Sequence, residues 1–404
     1  MELVPSVSSE VQNRPLVESF FAVDATVGEW MRTIRRHIHR FPELSYREEE
    51  TGRYVIERLK EIGVNRVRQL APTGIVAEFG ADTGPLVCLR CDMDALPLQE
   101  DTGLEFSSSR EGIMHACGHD GHMAMLLGAA CLLRKLDLKG RVRLLFQPAE
   151  ESGNGAVKMI DQGCLDEVEA IFCGHIDTHH RTGLITVDEG IICASADPFS
   201  IRVTGRGGHA ARPHEAADAL VAAASLVTTL QTLVSREKDP NHAAVITIGK
   251  LQAGDSHNII AREALLEGTV RSTHAETRKQ TLKGLRRIVD SLAVMYGVET
   301  ELEFHHGLPA VLNSQPATSL AAKAAQAIVG RQHVISQGPS SLGSEDFSNY
   351  QHHVDGCMVR FGAEPGNHAG PAHSNNFDFD EEVLPIGAAW YAAVAWEFLR
   401  TGPR

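Results

Sequence analysis

Much of what usually names a chemistry is missing from this chain of 404 residues. There is no Gly-x-x-x-x-Gly-Lys-Ser/Thr run and no Gly-x-Gly-x-x-Gly opening a helix, so nucleotide binding has no motif to rest on. The Gly-x-Ser-x-Gly elbow of the usual serine hydrolases is absent, and no two Cys-x-x-Cys motifs pair up as a structural zinc module would require. Positive charge is scarce: 38 Lys+Arg against 52 Asp+Glu leaves a net charge of −14, which argues against nucleic acid and anionic membranes as partners. No uninterrupted apolar run reaches the roughly 20 residues of a membrane span. The opening "MELVPSVSSEVQNRP" has no basic region followed by an apolar one, so no secretory signal is expected. Eight scattered cysteines read as reduced thiols rather than a disulfide framework, and a cytoplasmic address follows.

What is present is enough for two cores. The apolar fraction of 43% is ordinary for globular proteins, and the length predicts two domains. Up to about residue 190, short apolar runs ("GIVAEFG" 74–80, "PLVCLRCD" 85–92, "RVRLLFQ" 141–147, "EAIFCGH" 169–175) alternate with helical stretches such as "HMAMLLGAACLLRKL" (122–136). That alternation predicts a mainly parallel sheet flanked by helices. The middle of the chain changes character. Strands at 198–205, 243–249, 264–273 and 298–304 and helices at 215–237 and 275–297 follow the order β-α-β-β-α-β of a ferredoxin-like unit. The expected organisation is therefore α/β, with a first domain over 1–194, an insertion over 195–306, and the first domain resuming over 307–404. The stripe Leu282, Leu285, Ile288, Val289 and Leu292 is the expected buried face of the second inserted helix.

Ligand-type residues gather where apolar strands end. "CDMDALP" (91–97), "FQPAEES" (146–152), "CGHID" (173–177) and the later "PAHSNNFDFDE" (371–381) carry carboxylates and histidines, and "MHACGHDGH" (114–122) adds a thiol and three imidazoles before a helix. In open α/β sheets, ligands sit beyond the strands' carboxyl ends, so Asp94, Glu150, Glu151 and His175 are expected to converge there. Thiolate, imidazole and carboxylate together suit a borderline divalent metal. The adjacent Glu150 and Glu151 fit a site where one carboxylate ligates and the other takes a proton from activated water.

Taken in order, "RRHIHRFPELSYREEE", "RCDMDALP", "MHACGHDGHMA", "FQPAEE", "GRGGHAARPH", "GSEDFS" and "HSNNFDFDEE" resemble the M20 metallopeptidases, specifically the amidohydrolase subgroup of aminoacylases, hippurate hydrolases and auxin-conjugate hydrolases. The resemblance runs from about residue 30 to the C-terminus. It implies a zinc-peptidase-like catalytic domain with a ferredoxin-like lid or dimerisation domain, and two divalent ions per subunit: zinc or manganese first, cobalt or nickel as alternatives. It carries the metal ligands onto Cys117, His119, Glu151, His175 and His373, with His179 or His180 as substitutes for His175 and His368 competing with His373. Asp92 stands where many relatives have a ligand histidine. The general base falls on Glu150, and Asp94 is the acid that orients the base or a ligand imidazole. His209 would steady the oxyanion across a homodimer or a dimer-based tetramer, while Asn258 and Arg271 would hold the substrate carboxylate. The implied reaction is hydrolysis of a small N-acyl or N-aroyl amino acid by a metal-bridging hydroxide. A dipeptidase or carboxypeptidase, or a non-catalytic homologue that binds metal or a conjugate, stays open beside it.

Overall fold

The computed structural model describes residues 21–70, 72–152, 155–365 and 369–402. The chain forms two compact units, one over 1–189, 313–337 and 350–404, the other over 190–312 and 338–349. The smaller unit thus extends beyond the expected 195–306. The reason lies in the backbone: the Ala194 amide donates to the Ser341 carbonyl at 2.9 Å and the Ser341 amide to the Ile192 carbonyl at 2.9 Å, which recruits the segment 338–349.

The larger unit contains, in chain order, α1 (Ala25–Arg40), α2 (Glu49–Glu61), β1 (Arg66–Leu70), β2 (Gly74–Gly80), β3 (Leu86–Asp92), α3 (His119–Leu133), β4 (Arg141–Gln147), α4 (Gly155–Asp161), β5 (Ala170–Asp177) and β6 (Ile185–Thr186). The smaller unit supplies β7 (Gly190–Cys193), β8 (Ser195–Thr204), β9 (Gly208–His209), α5 (Ala219–Thr232), β10 (Ala244–Ala253), β11 (Ile259–Ile260), β12 (Glu263–Ser272), α6 (Ala275–Tyr296) and β13 (Glu299–Phe304), with β14 (Val311–Asn313) at the boundary. The chain then returns through α7 (Gln315–Val329), β15 (Val334–Ile335), β16 (Asp355–Gly362) and α8 (Val383–Thr401).

The large sheet has the order β1-β2-β4-β3-β5-β16-β6-β15. Its central strands β4, β3, β5 and β16 run parallel, whereas β1, β2 and β6 join antiparallel. The centre is parallel because helices cover both faces, and β3 is buried along its whole length, its one cation Arg90 bonded to Gln147 and Asp92. Helices α3 and α8 are apolar nearly all round and almost wholly buried in the core. Helix α1 is amphipathic and buries Val27, Met31, Ile34 and Ile38, its start capped by the Asp24 carboxylate, which accepts from the Val27 amide at 2.9 Å.

Register places the chemistry. Asp92 at the end of β3 pairs with Gln147 at the end of β4, and His175 on β5 pairs with Arg360 on β16. The segments that follow these strands therefore leave the same edge of the sheet, as the crevice rule anticipates. One local expectation needs correction. The segment 119–122 is not loop: α3 begins at His119, three residues before the expected start, because Gly118 takes the left-handed conformation at φ 93° and turns the chain directly into the helix.

In the smaller unit, β8, β10, β12 and β13 make an antiparallel sheet of order β10-β12-β8-β13, and α5 and α6 pack against it. Its core joins Phe199, Ile201 and Val203 of β8 to Leu226 and Leu230 of α5 and to Leu285, Val289 and Leu292 of α6. Leu282, expected on that stripe, is half-buried beside it. Helix α5 starts at Ala219 rather than 215, where Asp218 caps it by accepting from the Leu220 amide at 2.9 Å. The run Ala219–Glu237 is long and apolar enough to cross a membrane by length and composition. Its Ala222, Ala223, Leu226, Leu230 and Leu233 instead face the unit's own core.

Candidate metal centre

Four segments meet at the carboxyl edge of the large sheet, the end of β5 with His175 being one of them. The turn 114–118 delivers Cys117, and the first turn of α3 delivers His119. Two glycines permit this close packing: a Cβ on Gly118 would lie 3.2 Å from the Ile176 side chain, and one on Gly121 would lie 2.6 Å from both Ile176 and Phe379. The turn after β4 delivers Glu150 and Glu151, with Ala149 left-handed at φ 52° and its amide donating to Glu48 Oε1 at 2.9 Å. Another segment brings His373, also left-handed at φ 65°, an uncommon state for a non-glycine residue. It is held by its own amide, which donates to the Ala116 carbonyl at 2.7 Å.

The ligand-type atoms form two overlapping triads, Cys117 with His119 and His175, and Cys117 with Glu151 and His373, each with its atoms within 4.8 Å of one another. Cys117 Sγ lies 3.6 Å from His175 Nε2, and His373 Nε2 lies 3.3 Å from Glu151 Oε1. Glu150 groups with His119 and Glu151 by the same measure.

Ring orientations are settled by backbone partners. His119 Nδ1 is 2.9 Å from the Asp94 carbonyl, and His175 Nδ1 is 2.6 Å from the Ile176 carbonyl. A carbonyl can only accept, so both Nδ1 atoms carry hydrogen and both Nε2 lone pairs face the centre. His119 Nε2 is buried with no hydrogen-bond partner, and Glu151 Oε1, also buried, has none beyond the 3.3 Å approach of His373 Nε2. Orphaned buried polar atoms are costly. A cation bound between them satisfies both, so the residues present fit a metal.

The field agrees. Burial disfavours a charged His119, yet Asp92, Asp94 and Cys117 outweigh it and push its pKa well above the usual value. Hydrogen bonds to Cys117 and Glu151 raise His373 to about 10. His175 goes the other way: burial and the neighbouring His122 press it well below 6.5 and keep it neutral. The pocket thus favours added positive charge beside a neutral imidazole, a setting that a divalent cation suits better than protons.

Asp94 anchors the carboxylate pair. Its Oδ1 accepts the Glu150 amide and its Oδ2 the Glu151 amide, each at 3.1 Å, while Ser45 donates to Oδ2 at 2.6 Å. Burial opposes its ionisation, but the bonds from His119 and Ser45 prevail and hold its pKa below the ordinary range. Asp92 and His122 lie behind the triads. His122 Nδ1 is 2.6 Å from Asp92 Oδ1, and its Nε2 accepts the Ile176 amide at 2.9 Å, so both ring nitrogens of His122 are engaged and it offers no lone pair. Arg90 Nη1 donates to Asp92 Oδ2 at 2.9 Å. This Asp92–His122 pairing was not anticipated; the shared ends of β3 and α3 were the only sequence signal for it. His179 and His180 turn toward Asp177, with His179 Nδ1 at 2.9 Å from its Oδ1, and stand outside both triads. His368 lies outside the described residues.

The remaining three expected residues lie on the smaller unit. β9 pairs with β11, which sets His209 opposite Ile259, and the Ala210 amide donates to the Asn258 carbonyl at 3.1 Å. His209, Asn258 and Ile259 border a groove of about 370 Å³. His209 is exposed, and its Nδ1 accepts the Ala211 amide at 3.0 Å, which leaves Nε2–H as an outward donor. Arg271 on β12 donates from Nη1 to the Leu342 carbonyl at 3.2 Å and to Ser344 Oγ at 3.1 Å.

A half-buried cysteine, imidazoles and carboxylates grouped at the carboxyl edge of a parallel sheet are the donor set of metal-dependent hydrolases. The sequence comparisons agree. The pattern of Peptidase family M20/M25/M40 matches residues 88–397. The N-acetyl-L-cysteine deacetylase of Bacillus subtilis (strain 168) is 38% identical over 370 residues, 91% of this chain and 87% of its own. The IAA-amino acid hydrolase ILR1-like 2 of Arabidopsis thaliana is 37% identical over 400 residues, covering 97% and 90%. Among solved structures, the Bacillus subtilis YXEP protein, described as a dinuclear metal binding peptidase from the M20 family, superposes with a TM-score of 0.83 at 34% identity, covering 94% of this chain and all of that one. The chain belongs to peptidase family M20/M25/M40 and is a metal-dependent amidohydrolase.

Proposed function

We propose that this protein hydrolyses the amide bond of an N-acyl or N-aroyl amino acid, at a centre of two divalent ions, releasing a carboxylic acid and an amino acid. The observation that carries the reading is Cys117, shared by two ligand triads, with Glu150 beside them and outside both. One ion would be held by Cys117, His119 and His175, the other by Cys117, Glu151 and His373. Thiolate softness favours zinc, and the carboxylate and imidazoles also suit manganese, cobalt or nickel. The pair of ions supplies Lewis acidity for the amide carbonyl and lowers the pKa of water toward roughly 7.

The chain's own groups do the rest. Glu150 accepts the proton of the attacking water and returns it to the leaving nitrogen. Asp94 fixes both glutamates through their amides and sits 3.4 Å from His119 Nδ1. The Nε2–H of His209, from a second copy of this chain, donates to the developing oxyanion. Asn258 and Arg271 hold the amino-acid carboxylate, the guanidinium fork matching its two oxygens. The named relatives act on N-acetyl-L-cysteine and IAA-amino acid conjugates, which supports the substrate class.

The test is metal-free protein reconstituted with zinc or manganese and assayed on N-acetyl amino acids, N-benzoyl amino acids and dipeptides. About two equivalents of metal and preferred turnover of N-acyl amino acids are expected. Preferred turnover of dipeptides sinks the acyl reading.

A further inference from the structure

Helix α1 is remote in sequence from every ligand, yet one of its side chains reaches two ligand-bearing segments at once. Arg35 is 1% exposed. Its Nε donates to Asp120 Oδ2 at 2.9 Å, its Nη2 to Asp378 Oδ1 at 2.6 Å, and its Nη1 to Glu381 Oε1 at 3.0 Å. The guanidinium lies between two rings, 4.7 Å from the Phe106 centroid and 4.3 Å from that of Phe379. Asp120 directly follows His119 in the first turn of α3, while Asp378 and Glu381 follow His373 on the segment leading into α8.

Such a cation is expensive to bury, and three carboxylates do more than neutralise it. A planar fork can donate in three directions at fixed angles, which an ammonium cannot reproduce. The neighbours show the contrast. Arg36 bonds Glu381 at 2.6 Å and Arg32 bonds Glu382 at 2.9 Å, both on the second segment only. His39 Nδ1 approaches Asp120 Oδ2 at 2.9 Å and reaches only the first. Among the described residues of α1, Arg35 alone bridges the two.

We propose that Arg35 is a positioning residue, a clamp that sets the separation between His119 and His373 and thereby the affinity of the centre for its second ion. The inference rests on the dinuclear reading above. It predicts that loosening the fork shifts metal binding more than it shifts the fold, because the fork ties together the segments that carry His119 and His373; direct outer partners of metal ligands govern affinity by about 10–100-fold, and that range sets the scale.

The test titrates zinc into metal-free full-length protein against a competing chelator, and records the thiolate-to-cobalt charge-transfer band of the cobalt form. Arg35→Lys is expected to weaken the second binding step by about 10–100-fold and to alter the cobalt spectrum while unfolding stays cooperative. Should that variant not fold, Arg35→Met combined with Asp120→Asn removes the clamp without leaving a buried charge on Asp120 and is expected to show the same loss. A lower melting temperature in the metal-free form, with both zinc affinities and the cobalt spectrum unchanged, overturns the clamp and leaves the dinuclear reading intact. Wild-type protein that fails to take up a second ion overturns both.

Discussion

Cys117 Sγ lies 3.6 Å from His175 Nε2, and the same sulfur completes a second triad with Glu151 and His373. On the proposed dinuclear reading, one sulfur shared by two groups of ligand-type side chains makes the two halves of the centre unequal to mutation. Cys117→Ser replaces the shared soft ligand by a hydroxyl and should weaken both zinc-binding steps by at least about tenfold. His373→Ala touches one triad and should weaken one step. Zinc titration of the two variants separates these outcomes, and equal loss in both would contradict the shared role of Cys117.

Glu150→Gln keeps size and hydrogen bonding but cannot accept a proton. Metal content should stay near wild type while kcat falls by roughly 10²–10⁴, the usual contribution of a positioned base. Metal analysis beside steady-state rates on an N-acyl amino acid checks this, and near-normal turnover refutes the assignment.

Stability should depend on pH through His39 and Glu100, whose Nε2 and Oε1 are 3.3 Å apart. Burial disfavours the His39 imidazolium, but the bonds to Asp120 and Glu100 prevail and raise its pKa above 6.5. Its contribution is complete below 6.5 and is lost as pH rises through the folded value. Burial likewise opposes ionisation of Glu100, yet the bonds from His39 and Thr102 lower it to about 2, so its contribution is complete above 4.5 and is lost as pH falls toward about 2. Both terms are fully present between pH 4.5 and 6.5. The destabilisation caused by Glu100→Gln should be largest in that window and shrink on either side, as read from urea midpoints across pH.

Gly121→Ala adds a methyl 2.6 Å from Ile176 and from the Phe379 ring. Overpacking of this kind costs about 1–3 kcal/mol. The melting temperature should drop, and because His119 shares that first helical turn, zinc affinity should drop with it. A variant as stable as wild type would show that the α3 start has room to spare.

The mostly apolar runs "LVCLRCD" and "RVRLLFQ" are enough to place strands, since a doubly covered parallel strand buries both faces; Arg90 and Arg143 within them are buried too, bonded to Gln147 and Glu78. The start of α3 was less legible, because His119-Asp120-Gly121-His122 has the composition of a loop and becomes helix only where Gly118 turns and Ile176 and Phe379 pack against it. The ligand types were readable from local chemistry and from the collinear motifs. The pairing of His122 with Asp92 and of Arg35 with Asp378 and Glu381 was not, because those partners are distant in the chain and no spacing rule links them.

Sequence by itself determined the elements, the ferredoxin-like order of the insertion and the kinds of donor available, since periodicity and side-chain chemistry are local properties. Tertiary structure alone decided which nitrogen of each imidazole faces the centre, that Cys117 serves two groups, and that α1 reaches both ligand segments. Those outcomes depend on backbone carbonyls, register and buried charge brought together across hundreds of residues.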